Sequence, residues 1–217
     1  MSCWALIALK APAAAKGRLA EILDATGRSQ LVAQMFSQVL EALQAARSID
    51  GIAVVTAESL PQTGLVVLDD PGGGLNAALT HGARELAARG VDELLVLHAD
   101  LPLLTAAQID AFVAAGRETG LAIAPDKLGQ GSNALYLPLP APISFCFGHD
   151  SCRLHLAEAA RIGRPITRQT MAGFAFDVDE PADLERLLAQ EGERYGFLRQ
   201  AMKLTAPAPW QQGGINA

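Results

Sequence analysis

The chain has 217 residues, a formal net charge of −6, and a composition that is 50% hydrophobic and 18% charged. That length suits one domain with its own core, and the acidic balance, with no basic stripe interleaved with aromatics, argues against nucleic acid as a partner. Aromatics make up 5% while Ala and Leu abound, which favours a mixed α/β core over an all-β fold.

No stretch approaches the roughly 18 apolar residues that cross a bilayer, so no membrane partner is expected. The short apolar run from Cys3 to Leu9 lacks the positive leader of a signal segment and is read as a buried first strand. Three cysteines do not make a disulfide framework and suit a reducing compartment, so a cytoplasmic location is expected.

In chain order, Trp4 to Leu9, Gly51 to Thr56 and Leu65 to Leu68 are short apolar runs bounded by turn residues, the pattern of buried strands. Between the first two, Leu31, Met35, Val39 and Leu43 recur every four residues with Leu40 beside them, which predicts a helix. After Gly72, Gly73 and Gly74, the residues Leu75, Ala78, Leu79, Gly82 and Leu86 mark a second helical face that Gly90 ends. Glu93 to His98 reads as a strand, Ala106 to Gly116 as a helix, and Leu121 to Ala124 and Asn133 to Leu137 as strands. Ser151 to Ile162 should be helical, Gly173 to Phe176 a strand, and Pro181 to Gln190 a helix with proline in its first turn. A last helix is expected over Arg194 to Met202, and Thr205 to Ala217 reads as a mobile tail. Residues 1–204 then form a single domain. The alternation predicts an α/β, doubly wound, mostly parallel sheet, in which ligands gather outside the carboxyl ends of the strands.

Asp100 follows a buried strand and precedes Leu101 and Pro102, and Asp177 follows the apolar run Phe174 to Phe176. Two strand-end carboxylates suffice for magnesium, which completes its shell with water and substrate phosphates. A turn cap is the alternative role for Asp100 alone. The neighbouring Asp179 is assigned to the start of the following helix. Lys10, Lys16 and Arg18 cluster after the first strand, where cations could neutralise a triphosphate and steady departing pyrophosphate; a solvated basic loop is the alternative. Gly74, Leu75 and Asn76 bring backbone N–H groups to a helix N-terminus, and the Asn76 amide suits a base edge, although a glycine turn alone explains the motif. The loops from Gly129 to Asn133 and from Phe147 to Ser151 could hold a phosphate or carboxylate. Cys146, His149, Cys152 and His155 recur every third residue; this spacing lacks the paired knuckle of a zinc site and is read as a coincidence around a substrate loop.

Taken together, Ala8-Leu9-Lys10 through Lys16-Gly17-Arg18-Leu19, Gly74 to Leu79, Ala99-Asp100-Leu101-Pro102, Gly131 to Leu135, Phe147-Gly148 with Ser151 and His155, and Asp177-Val178-Asp179 with Pro181, Asp183 and Leu184 resemble the CofC-type 2-phospho-L-lactate guanylyltransferases. The resemblance implies a GT-A nucleotidyltransferase fold. It further implies transfer of GMP from GTP to a small phosphorylated acid (2-phospholactate, phosphoenolpyruvate or 3-phosphoglycerate) in the synthesis of coenzyme F(420). By similarity, Asp100 and Asp177 would hold magnesium, Ser132, Gly148 and Ser151 would contact the acceptor, and Gly74 to Asn76 would lie in the nucleotide site. The family usually carries threonine where Ser132 stands and glycine where Asp150 stands. Two alternatives stay open: the same fold with another acceptor or donor, and a catalytically silent nucleotide-binding module.

Overall fold

The computed structural model describes residues 1–9, 16–60 and 63–202; Lys10 and the segment from Thr205 to Ala217 lie outside the described residues. Among the described residues, seven strands form one sheet: β1 (Cys3–Ala8), β2 (Gly51–Thr56), β3 (Val66–Asp69), β4 (Glu93–Leu97), β5 (Ala122–Pro125), β6 (Ser132–Pro138) and β7 (Thr167–Arg168), in the order β3-β2-β1-β4-β6-β5-β7. Neighbours run parallel from β3 to β4 and again between β5 and β7, while β6 is antiparallel to both β4 and β5. The helices are α1 (Ala25–Ala45), α2 (Leu75–Ala88), α3 (Ala106–Thr119), α4 (Ser151–Arg161), α5 (Ala172–Ala175), α6 (Pro181–Gln190) and α7 (Leu198–Ala201). Among the described residues, no helix is long and apolar enough to cross a membrane.

Alternation along the strands sorts the core into two layers. Ala5, Ile7, Val54, Leu95 and Leu97 pack with Phe36, Val39 and Leu43 of α1 and Phe112 and Val113 of α3 on one face. Leu6, Val55, Leu94 and Val96 pack with Leu79, Ala83 and Leu86 of α2 on the other. The four-residue stripe of α1 is buried throughout, with Leu31 and Met35 turned into a third cluster beside Phe176, Val178, Leu184, Leu187 and Tyr195. That cluster anchors the C-terminal segment to the first helix.

Two sequence expectations are corrected here. Gly173 to Phe176 is not a strand: Ala172–Ala175 is the short helix α5, and β7 takes the place beside β5. Phe174 instead fills the core against Phe112, with ring centroids 4.9 Å apart, and a Cβ on Gly173 would stand 2.6 Å from the Leu103 carbonyl, so only glycine allows this approach. The last helix is also shorter than expected, because residues 191–197 form successive turns before α7 begins.

Candidate active site

The strand order reverses direction at β1, which lies between β2 and β4, so the carboxyl ends of β1 and β4 open side by side at a topological switch point. A cavity of about 220 Å³ sits there, lined by Leu9, Lys16, Leu75, His98 and Asp100 among others. A larger cavity, about 450 Å³, lies between α2 and the loop after β6, and none of the residues singled out from the sequence lines it.

Lys16 reaches the switch point from a left-handed backbone, with φ 58° and ψ 41°. That conformation costs a non-glycine residue on the order of 1 kcal/mol and persists where the surroundings enforce it. Its ammonium stands 2.5 Å from Asp100 Oδ2 and 2.7 Å from Asp179 Oδ1, and the side chain is 7% exposed. Burial pulls the Lys16 pKa down, but the Asp100 and Asp179 carboxylates outweigh burial and the net shift is upward.

From Phe176 to Asp179 the side chains alternate. Phe176 and Val178 enter the third core cluster, which leaves Asp177 and Asp179 to the site. Burial, reinforced by Asp179 and then Asp100, pushes the Asp177 carboxyl up to about 6. Burial also acts upward on Asp100, but Lys16 and His98 overcome it and the net shift is downward. The Oδ1 atoms of both Asp100 and Asp177 are buried without a hydrogen-bond partner among the described residues. Buried carboxylate oxygens of this kind call for a cation or a donor. No three His, Cys, Asp or Glu side chains form a ready-made metal cage among the described residues. Magnesium asks for less, one or two protein carboxylates with phosphate and water completing the shell, so this donor set fits it.

Asp179 does not serve the helix start to which its sequence position assigns it. Glu180 is the N-cap of α6, and Asp183 accepts the Asp179 and Glu180 N–H groups at 3.1 and 3.0 Å, while Asp179 turns to Lys16. Asp183 is itself paired with Lys127 from the β5–β6 loop. His98 has no role assigned from the sequence: its Nε2 is buried without a partner among the described residues, and its ring lies 5.3 Å from that of Phe147. The available signal was a histidine ending an otherwise apolar strand two positions before Asp100. Arg18 does not join the cluster; its side chain is 73% exposed and meets Glu180 at 3.3 Å.

The loop Gly72 to Gly74 has positive φ at every residue, 77°, 83° and 88°, and Gly74 is the N-cap of α2. Asn76 is not a free base reader. Its Oδ1 accepts the Phe147 N–H at 2.8 Å and its Nδ2 donates to the Phe147 carbonyl at 3.0 Å, which ties the glycine loop to the loop before α4. There Ser151 Oγ accepts the Ser132 N–H at 2.8 Å, and the Cys152 N–H donates to the Gln130 carbonyl at 2.9 Å, so Ser132, Gly148 and Ser151 belong to one loop pair. Asp150 has φ 56°. A left-handed position favours glycine, and aspartate is among the residues that tolerate it. Its carboxylate is paired with Arg153 one turn on, so the added charge is neutralised locally.

Of the four residues spaced by three, His155 spends both ring nitrogens inside the protein. Nε2 accepts the Cys146 N–H at 2.9 Å and Nδ1 lies 3.0 Å from Ser132 Oγ. Burial lowers the His155 pKa to about 4, opposed first by the backbone of Ser151 and then by Glu158, with His98 adding to the lowering. The unfolded chain, with an ordinary value near 6.5, takes up this proton first on acidification. The His155 contribution to stability is therefore whole above about pH 6.5 and lost progressively down to about pH 4, amounting to about 3 kcal/mol. Asp177, whose pKa is raised, acts with the opposite sign over much of the same window. The effect is accordingly read as a difference: denaturant unfolding of wild type and His155→Asn across that range should give a free-energy gap that narrows as pH falls, and a constant gap would contradict the assignment.

A doubly wound sheet with this cluster at its switch point places the chain among the nucleotidyltransferase folds. The structure of 4-diphosphocytidyl-2C-methyl-D-erythritol synthase from Anaerococcus prevotii superposes with a TM-score of 0.60, covering 88% of this chain and 98% of that one at 12% identity. The family model for CofC-like guanylyl transferases matches residues 3–206, and the chain belongs to that family. A phosphoenolpyruvate guanylyltransferase of Sphaerobacter thermophilus is 41% identical over 192 residues, 86% of this chain and 93% of that protein. The enzyme of the same name from Rubrobacter xylanophilus is 37% identical over 201 residues, 90% of this chain and 98% of that protein.

Proposed function

We propose that the chain transfers GMP from GTP to a small phosphorylated acid, with phosphoenolpyruvate as the first candidate and 2-phospholactate and 3-phosphoglycerate as the others, in coenzyme F(420) biosynthesis. The observation that carries this reading is the pair of buried carboxylate oxygens on Asp100 and Asp177, without a hydrogen-bond partner among the described residues, near a cavity at the switch point. The names of the relatives support guanine as the donor base and phosphoenolpyruvate as an acceptor.

An oxygen of the acceptor phosphate attacks the α-phosphorus of GTP, the bond from the α-phosphorus to the bridging oxygen breaks, and pyrophosphate leaves with that electron pair. Asp100 and Asp177 would hold magnesium, which neutralises charge on the phosphates when bound. Lys16 brings a fixed positive charge to the same place, and Asp100 and Asp179 hold its ammonium in position. Lys10 and Arg18 are offered for the pyrophosphate, Gly74 and Leu75 for the nucleotide, with Asn76 positioning Phe147. Ser132, Gly148 and Ser151 are offered for the acceptor.

A panel of nucleoside triphosphates against phosphorylated acids, scored by pyrophosphate release and by the mass of the product, tests this. Guanylylated phosphoenolpyruvate, 2-phospholactate or 3-phosphoglycerate is expected; turnover only with another nucleotide, or GTP binding without any turnover, would overturn it.

The Asp150–Arg153 pair adds a prediction. Arg153→Ala exposes the Asp150 carboxylate beside the acceptor loop and is expected to raise the acceptor KM about threefold at low salt, as suits a surface charge. The double variant with Asp150→Gly should return to the wild-type value. Steady-state KM for the two proteins checks it, and an unrepaired double variant would count against local charge as the cause.

A further inference from the structure

From Asp177 to Asp183 the chain carries four acids in seven residues: Asp177, Asp179, Glu180 and Asp183. Three of them have a cation of their own. Lys16 takes Asp179 at 2.7 Å, Arg18 takes Glu180 at 3.3 Å, and Lys127 takes Asp183. Asp177 keeps a buried Oδ1 with no hydrogen-bond partner among the described residues. The Asp183 carboxylate is divided between two tasks: Oδ1 accepts from Lys127, and Oδ2 accepts the N–H groups of Asp179 and Glu180 at 3.1 and 3.0 Å. Those N–H groups belong to the stretch that leads from Asp177 into α6, so the Lys127 ammonium reaches, through one carboxylate, the backbone that aims Asp177 and Asp179. Lys127 has a firm base for this. Asp126 Oδ1 accepts the Leu128 and Gln130 N–H groups at 3.1 and 2.9 Å, and the Asp126 N–H donates to the Gly131 carbonyl at 3.0 Å, which closes the loop between β5 and β6. The Asp183 side chain is 10% exposed, so loss of the ammonium would leave a largely buried charge without its cation among three other acids.

We propose that Lys127 is a positioning residue of the cation site: it holds Asp183 and, through the Asp179 and Glu180 backbone, holds the Asp177 carboxylate in place for the metal. The proposal rests on the reading of Asp100 and Asp177 as a magnesium site and deepens it. Charge and positioning predict opposite signs here. Lys127 acts on Asp177 through space, and a positive charge repels a divalent cation, so its removal would tighten metal binding if charge were its whole role. Loss of positioning weakens metal binding instead.

The probe is manganese, a hard cation that reports its own binding by electron paramagnetic resonance, titrated into the full chain at about pH 8 without nucleotide and then displaced by magnesium. Lys127→Met is expected to weaken manganese binding about tenfold. Lys127→Arg, which keeps a cation for Asp183, should stay within about threefold of wild type. Adding Lys127→Met to Asp183→Ala should change the affinity by less than about threefold, because both lesions cut one link. Melting curves show which variants are folded, and Lys127→Gln, with the same expected direction, replaces a Lys127→Met that does not fold. Three results overturn the proposal: a lower melting temperature with unchanged manganese affinity, which marks a merely structural pair; tighter binding, which marks a charge effect; and a further loss of about tenfold in the double variant, which separates the two residues. A wild-type chain that binds no manganese, or whose binding survives Asp177→Asn, would instead bring down the parent reading of the cation site, and this one with it.

Discussion

Replacing Asp100 by asparagine is expected to lower kcat for guanylyl transfer on the order of 1,000-fold, about 4 kcal/mol of transition-state stabilisation. The substitution keeps the shape of the side chain and removes its charge. Lys16 retains Asp179 as a partner, so the fold should survive. The loss should fall on kcat more than on the GTP KM, because charge neutralisation matters most as pyrophosphate departs. Continuous measurement of pyrophosphate release, with melting curves as a control, checks this. Wild-type turnover in a folded Asp100→Asn protein would remove Asp100 from the site.

Lys16→Met carries the second large effect, and it acts on stability as well as on rate. The methionine keeps a Cβ at the left-handed position, so the backbone cost at φ 58° is common to both proteins and the difference reports the lost charge. Without the ammonium, the carboxylates of Asp100 and Asp179 face each other, with Asp177 close enough to raise its own pKa through both. Removing one partner of a buried pair costs about 3–5 kcal/mol, and the 47% exposure of Asp179 puts the expectation nearer to 2–3 kcal/mol. Added magnesium should restore part of that stability in Lys16→Met and restore less in an Asp100→Asn/Lys16→Met double variant, by mass action on the folded state. The rate should fall about 100-fold. Thermal melts with and without magnesium are the measurement, and indifference of Lys16→Met to the cation would contradict the shared charge site.

Much of the architecture was legible in the chain itself, for identifiable reasons. The strands from Gly51 to Thr56 and from Glu93 onward are continuous apolar runs because both of their faces are covered, and the α1 stripe is regular because one face of a long helix packs throughout. Gly173 to Phe176 misled because four apolar residues can serve a strand or a buried turn. Their fate was set by the Leu103 and Leu104 backbone that Gly173 approaches and by Phe112 on α3. The antiparallel placement of β6 had no local signature, since register and direction are properties of a pair of strands.

The site divides along the same line. The sequence by itself marked Asp100, Asp177 and Lys16, because a carboxylate or ammonium beside a buried strand or glycine loop stands out against its surroundings. Ser132, Gly148 and Ser151 came only with the resemblance to the CofC-type family. Only the tertiary structure joined Lys16 to Asp100 and Asp179, gave the Asn76 amide to Phe147 and placed Arg153 against Asp150. It alone also locked the His155 ring between Cys146 and Ser132. Composition and spacing report what each residue can do within its own turn or strand. Hydrogen bonds and ion pairs between residues 84 or 163 positions apart, as from Lys16 to Asp100 and Asp179, depend on distances that only the folded chain sets.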